Sequence, residues 1–126
     1  MNSDATPAAV SQALPQVIAD YLTASEQRDV DAIVACFSPD ATVLDEDRRR
    51  TGRAQIRQWR NEVDSAFEYR STVTDSTALG EVDGSQRYDV ILHLEGNFPG
   101  GEVDLTNSFA IRDGHIVDLR IVPAVS

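Results

Sequence analysis

The sequence predicts an α+β domain in which three N-terminal helices pack on the concave face of a cone-shaped, curved sheet of mixed or antiparallel strands. Two observations lead to this prediction. Apolar residues recur at helical spacing only in the first half of the chain, whereas the segments after Glu68 read as strands. Short turn signals, among them Asp113-Gly114, join those later segments directly, which favours antiparallel neighbours.

The first helix is predicted over residues 12–28. Its apolar positions recur at i, i+3, i+4, i+7 and i+8, the spacing of one helix face, and Pro15 is tolerated because it falls in the first turn. The predicted buried stripe consists of Leu14, Val17, Ile18, Tyr21 and Leu22.

A second, short helix is predicted to start at Asp29, whose carboxylate can accept hydrogen bonds from the free amide groups of the first turn. Ser38 and Pro39 are expected to end it. Its predicted buried side consists of Val30, Ile33, Val34 and Phe37. The third helix is predicted after Gly52, with Gln55 reaching back to the helix start. Its apolar positions are Ile56, Trp59 and Val63.

Five strands are predicted. The first is the β-branched run ATVLD, residues 41–45, and the segment EDRRRTG that follows it is expected to be a loop. Four longer strands follow in meander order, at residues 69–79, 87–96, 102–112 and 115–122.

Length and composition indicate one domain, residues 12–126, preceded by a flexible arm at residues 1–11. The net charge of −10 opposes binding to nucleic acid or to an anionic membrane surface. The first residues carry no basic start followed by an apolar core, so a cytoplasmic location is expected. A single cysteine, Cys36, and two histidines far apart in sequence predict no metal centre and no other cofactor.

Three polar residues stand where the apolar pattern predicts buried positions. Tyr21 lies on the stripe of the first helix, Asp45 ends the first strand, and Asn107 interrupts the apolar side of a late strand. A buried polar group without a partner costs about 1–3 kcal/mol, so three such positions invite a functional interpretation. The curved sheet and the helices over it would enclose a pocket in which the three could meet.

The order of elements resembles the nuclear transport factor 2-like superfamily, in its SnoaL-like and ketosteroid isomerase-like branch, over residues 12–122. The resemblance is carried by DVDAIVACFSPDATVLDE, by TGRAQIRQW and by the late D-G-H-I turn. In ketosteroid isomerases the carboxylate general base ends the strand D-A-T-V-x-D, which implies that role for Asp45. The tyrosine that donates to the oxyanion lies eight residues before the aspartate opening the second helix, as Tyr21 stands before Asp29.

The resemblance has departures. The isomerases place a protonated aspartic acid where this chain has Asn107, whose amide can still donate a hydrogen bond to an enolate. Pro123 stands near the position of an isomerase tryptophan, and the loop after Asp45 is about two residues shorter. These differences concern the substrate more than the chemistry.

The first hypothesis is therefore a cofactor-independent isomerase or cyclase that abstracts a proton next to a carbonyl of a small hydrophobic substrate. Asp45 would be the base, and Tyr21 and Asn107 would donate to the oxyanion. The expected walls of the substrate pocket are Trp59, Phe37, Phe109 and Val43. The resemblance also implies a homodimer.

Two alternatives stay open. The protein could be a non-catalytic module of the same fold that binds a ligand or a partner, or a hydrolase in which Asp118 with Arg120, or Asp47, carries the acid role. Asp118 and Arg120 alternate with apolar neighbours and so share one strand face, where an exposed ion pair is the simpler expectation. His93 is expected to point outward or to lie at a dimer contact.

Overall fold

The computed structural model describes residues 14–124, so the predicted arm at residues 1–11 lies outside the described residues. The elements in chain order are α1 (Gln16–Gln27), α2 (Val30–Ala35), β1 (Phe37–Asp45), β2 (Arg48–Thr51), α3 (Arg53–Ala66), β3 (Tyr69–Val82), β4 (Ser85–Gly96), β5 (Glu102–Arg112) and β6 (His115–Pro123). The predicted α+β class is confirmed: three helices accompany one curved, unclosed sheet of six strands.

The sheet is mixed. Its strand order is β2-β1-β6-β5-β4-β3, in which β1 and β6 run parallel and all other neighbours run antiparallel. Register shifts interrupt β3 against β4 and β5 against β6, and such bulges bend and twist strands locally. The helices pack on the resulting concave face.

The ends of the helices follow local chemistry. Pro15 is the N-cap residue of α1 instead of lying within its first turn, and the chain leaves that helix at Arg28 in the left-handed conformation. Asp29 caps α2 as predicted, since its side chain accepts from the amide of Ala32 at 3.2 Å. Gln55 also reaches back as predicted, accepting from the amide of Thr51 at 2.8 Å.

Two sequence-based expectations about element ends are wrong. Phe37 does not lie on the second helix, which ends at Ala35; it starts β1, and that strand continues through Ser38 and Pro39. The chain after Asp45 is not a loop but a two-residue turn, Glu46-Asp47, followed by β2. Both turn residues have positive φ, 54° and 63°, a conformation that the sequence signals for two-residue turns assign to pairs such as Asn-Gly or Asp-Gly.

The core lies between the helices and the sheet. Its largest fully buried side chains are Phe37, Phe109, Ile18, Ile33, Ile56, Ile116, Leu119, Val43 and Val90. They come from α1, α2, α3 and four strands, so burial of apolar surface holds the helical layer on the concave face. Within residues 14–124, no helix has both the length and the apolar character that crossing a bilayer requires.

Candidate functional site

The strand register places two of the predicted site residues on one row of the sheet. Asp45 pairs with Ile121 of β6, Ile121 pairs with Asn107 of β5, and Asn107 pairs with Val90 of β4. Directly paired residues point to the same face of a sheet, so Asp45 and Asn107 share the face that carries the buried Val90. One strand separates them, which corresponds to about 10 Å between their backbones.

Tyr21 reaches this layer from α1. Its side chain is 3% exposed, and its ring packs edge-on against Phe37 and Phe109, with ring centroids 5.7 and 5.6 Å away. Burial raises the pKa of the Tyr21 phenol, and the positive charge of Arg60 opposes that shift. Tyr21 is therefore a neutral hydrogen-bond donor near neutral pH, and it sits beside Phe109, two residues from Asn107 on β5.

Asp45 is held by Trp59. The indole Nε1 donates to Oδ2 of the half-buried Asp45 carboxylate at 3.0 Å. Trp59 itself is only 4% exposed, on the inner side of α3. This contact joins the third helix to the end of β1, and it gives the tryptophan a polar function beyond its predicted place in the pocket wall.

Asn107 is buried with an unsatisfied donor. Its side chain is 3% exposed, and its Nδ2 has no hydrogen-bond partner among the described residues. Such an atom normally finds a partner in a folded protein, so it requires an explanation. The other predicted wall residues, Phe37, Phe109 and Val43, are fully buried and surround the site with apolar surface.

Asp118 and Arg120 lie on the other face of the sheet. They pair with Thr42 and Leu44 of β1, which alternate with Val43 and Asp45. The Asp118 carboxylate accepts from the Thr42 hydroxyl and faces Arg120 Nε at 3.4 Å. The expected ion pair is present, and it cannot share one site with Tyr21 and Asn107.

Sequence reasoning missed Arg60, which is 3% exposed on α3. Its guanidinium donates to Ser25 Oγ at 3.1 Å, to Asp64 Oδ1 at 3.1 Å and to the Tyr69 hydroxyl at 3.2 Å. A charged residue does not belong to the apolar pattern of Ile56, Trp59 and Val63 that predicts the buried side of this helix. The one available signal was Asp64, four residues later, which is the spacing of a helical ion pair.

A second cluster lies on β4 and β5. His93 Nδ1 contacts Asp104 at 2.7 Å, and its Nε2 lies 3.2 Å from Glu95 and 3.1 Å from Glu102. These acids are spaced along two strands, so the cluster became visible only with the register of the hairpin. The hydrogen bond that the His93 ring donates to the Asp104 carboxylate raises the pKa of His93, and a smaller effect of burial opposes this shift.

Three surface clefts are lined by residues other than the predicted trio. The first, about 670 Å³, lies between α1, α2 and the β5–β6 turn, where Val17, Ala24, Cys36 and His115 line it. The other two lie along the outer side of α3 and beside the start of β3. The enclosed pocket expected around Tyr21, Asp45 and Asn107 therefore stays a prediction.

The sequence pattern of SnoaL-like domains matches residues 18–119. No curated protein matches the chain. Among solved structures, a candidate polyketide cyclase from Sinorhizobium meliloti is 36% identical with a TM-score of 0.81, and the match covers 89% of this chain and 98% of that one.

Two more distant structures share the fold. A candidate ketosteroid isomerase from Kribbella flavida has a TM-score of 0.71 at 18% identity, over 88% of this chain and 77% of that one. A protein with a ketosteroid isomerase-like fold from Catenulispora acidiphila, in complex with trimethylamine, has a TM-score of 0.70 at 19% identity, over 89% and 88%. Because the family pattern covers residues 18–119 and a solved structure is 36% identical over 89% of the chain, this chain belongs to the SnoaL-like family.

Proposed function

We propose that the protein is a cofactor-independent enzyme that abstracts a proton next to a carbonyl group of a small hydrophobic substrate, as an isomerase or a cyclase does. One observation carries the proposal. Asp45 and Asn107 occupy one row of the helix-covered sheet face, and the buried amide Nδ2 of Asn107 has no partner among the described residues. A base and an unengaged donor thus lie on the same apolar face.

The proposed chemistry assigns one role to each residue. Asp45 takes the proton from the carbon next to the carbonyl, and negative charge moves to the carbonyl oxygen as the carbon–hydrogen bond breaks. Tyr21 and Asn107 donate hydrogen bonds to that oxygen, which stabilises the enolate. Trp59 holds Oδ2 of Asp45 and so presents the other carboxylate oxygen to the substrate.

The apolar surroundings favour a hydrophobic substrate. Trp59, Phe37, Phe109 and Val43 are at most 4% exposed, and we propose that they contact the body of the substrate. The relatives described as a candidate polyketide cyclase and a candidate ketosteroid isomerase support carbonyl chemistry for this chain as well.

Proton abstraction can be measured without knowing the product. In D2O, the wild type should catalyse exchange of the α-protons of α-tetralone, a small aromatic ketone, as followed by loss of their NMR signal. Asp45→Asn should slow this exchange by about 100-fold or more, because it removes the base.

Asp47→Asn is the matched control, because Asp47 is an exposed carboxylate two residues away in the β1–β2 turn. It should leave the exchange rate unchanged. Equal rates for wild type and Asp45→Asn would contradict the role of Asp45, and slow exchange in Asp47→Asn alone would move the acid role to that residue. Binding of α-tetralone without any exchange would favour the non-catalytic ligand-binding module.

We also propose that the protein forms a homodimer through the sheet face opposite the helices. Val122 is 46% exposed on that face, beside the strand positions of Asp118 and Arg120. Leu79 and Val82 of β3 are also large apolar residues with 49% and 46% exposure. Sedimentation analysis that finds only the monomer mass would contradict this proposal. The cytoplasmic location stays a prediction, which cell fractionation can test.

A further inference from the structure

Arg60 and Asp64 form a buried ion pair that is only half engaged. Arginine and carboxylate groups often pair through two parallel hydrogen bonds. Here Nη2 of Arg60 donates to Oδ1 of Asp64 at 3.1 Å, whereas Nε of Arg60 and Oδ2 of Asp64 are buried and have no partner within residues 14–124. The pair therefore leaves one donor and one acceptor unused.

These two unused atoms are costly where they lie. The Arg60 side chain is 3% exposed and the Asp64 side chain 15%. Buried polar atoms in native proteins nearly always have partners, and each exception points to a bound group, to water or to function. Ser25 and Tyr69 already occupy the Nη atoms of Arg60, so they do not satisfy Nε.

The chemistry of the two atoms selects the kind of group that can satisfy both. A carbonyl or carboxylate oxygen accepts from Nε but gives nothing to Oδ2, and a carboxylate would also be repelled by Asp64. An ammonium group has the opposite fault, because it cannot accept from Nε. A hydroxyl group accepts with its oxygen and donates with its proton, so it matches both atoms.

The ion pair borders the proposed site on two sides. The Arg60 guanidinium lies 5.5 Å from the centroid of the Trp59 ring, whose Nε1 holds Asp45. It also lies beside Tyr21, the proposed oxyanion donor, since Ser25, one turn after Tyr21 on α1, accepts from Arg60. A group held by Arg60 and Asp64 would belong to a molecule bound between α1, α3 and the sheet.

We infer that Arg60 and Asp64 form a hydroxyl-binding subsite, so that the substrate is a carbonyl compound that also carries a hydroxyl group. The inference rests on the proposed function for the position of the carbonyl. A water molecule has the same hydrogen-bonding capacity as a hydroxyl group, so the experiment must separate a ligand hydroxyl from bound water.

The test compares α-tetralone with its ring-hydroxylated derivatives, which are isomers of one another. Their dissociation constants are measured by isothermal titration calorimetry on the full chain. At least one isomer should bind the wild type about 10-fold more tightly than α-tetralone, because a site with unused polar partners discriminates against a ligand without the hydroxyl. Arg60→Lys keeps the positive charge but removes Nε and the planar fork, so this preference should fall to about 1-fold.

Arg57→Lys is the matched control, since Arg57 lies one turn earlier on α3 in an exposed pair with Asp31. It should keep the full preference. Equal affinity of the wild type for α-tetralone and all isomers would overturn the inference and leave water only as the occupant. A preference that survives in Arg60→Lys would also overturn it. The wild-type comparison stands even if Arg60→Lys does not fold.

Binding and turnover separate this inference from the proposed reaction. A wild type that prefers a hydroxylated isomer but exchanges no α-protons would keep the subsite and refute the proton abstraction. A wild type that exchanges α-protons but binds all the probes with equal affinity would keep the proton abstraction and refute the subsite. If none of the probes binds, both are refuted.

Discussion

At the scale of single residues, the buried amide of Asn107 shows how a site can oppose stability. Its Nδ2 lost its contact with water on folding and has no partner among the described residues. The expected cost of such an atom is about 1–3 kcal/mol. A residue of this kind is retained where function requires an unengaged donor, and stabilising replacements at such positions tend to reduce activity.

Asn107→Leu should therefore stabilise the protein, by about 1 kcal/mol, since leucine has a similar shape and brings no unsatisfied donor. Urea denaturation would show the increase in the free energy of unfolding, and the same variant should lose affinity for α-tetralone. Asn97→Ala is the contrasting control. Oδ1 of Asn97 accepts from the amide of Glu68 at 3.0 Å, so removal of this side chain should destabilise the protein. A less stable Asn107→Leu would show that the amide is satisfied in solution.

At the scale of elements, three β-hairpins have two-residue turns with the same backbone conformation but different sequences. The turns Asp83-Gly84 and Asp113-Gly114 have positive φ at both residues, as does Glu46-Asp47. Glycine adopts this conformation without strain, whereas other L-residues pay about 1–2 kcal/mol for it. Among these three turns, only the β1–β2 turn has a residue other than glycine at its second position, namely Asp47, whose φ is 63°.

Asp47→Gly should for this reason stabilise the β1–β2 hairpin, by about 0.5–1 kcal/mol of unfolding free energy in urea. The reverse substitution, Gly114→Asp in the β5–β6 turn, should destabilise, because its φ of 76° is strained for any residue with a side chain. A destabilised Asp47→Gly would mean that the Asp47 carboxylate makes a contact in solution that outweighs the backbone strain.

At the scale of the whole molecule, the excess of acidic residues makes folding sensitive to the protonation of His93. The chain carries 21 acidic and 11 basic residues, and three of those acids surround His93. The folded-state pKa of His93 is raised, first by its hydrogen bond to Asp104. Its protonated form therefore stabilises the fold fully below its unfolded value of about 6.5, and this contribution is lost as the pH rises through the folded-state pKa.

His93→Asn should flatten the fall in stability between about pH 6 and pH 8.5, as measured by urea midpoints at both pH values. His115→Asn is the control, because the ring of His115 contacts the backbone carbonyl of Asp113 instead of a carboxylate. It should keep the wild-type profile. A wild-type midpoint that rises over this pH range in step with the His93→Asn variant would contradict the assigned contribution.

Local patterns in the sequence determined most of the elements. These patterns involve residues only a few positions apart, so the elements could be predicted from the sequence alone. They are the apolar spacing of α1 and α3, the Asp29 cap and the alternation of the last four strands. The hairpin at Glu46-Asp47 is not predicted because its turn lacks glycine. Phe37 is assigned to the wrong element because an apolar residue fits the end of a helix and the start of a strand equally well.

What only the tertiary structure decided is which polar side chains are buried together. Strand register brings Asp45 and Asn107 to one row, and no local pattern specifies that pairing. Arg60 is buried because Ser25, Asp64 and Tyr69 converge on it from three elements. Burial of the Arg60 charge depends also on Ser25 and Tyr69, which lie on other elements, whereas periodicity reports only on a residue's neighbours along the chain.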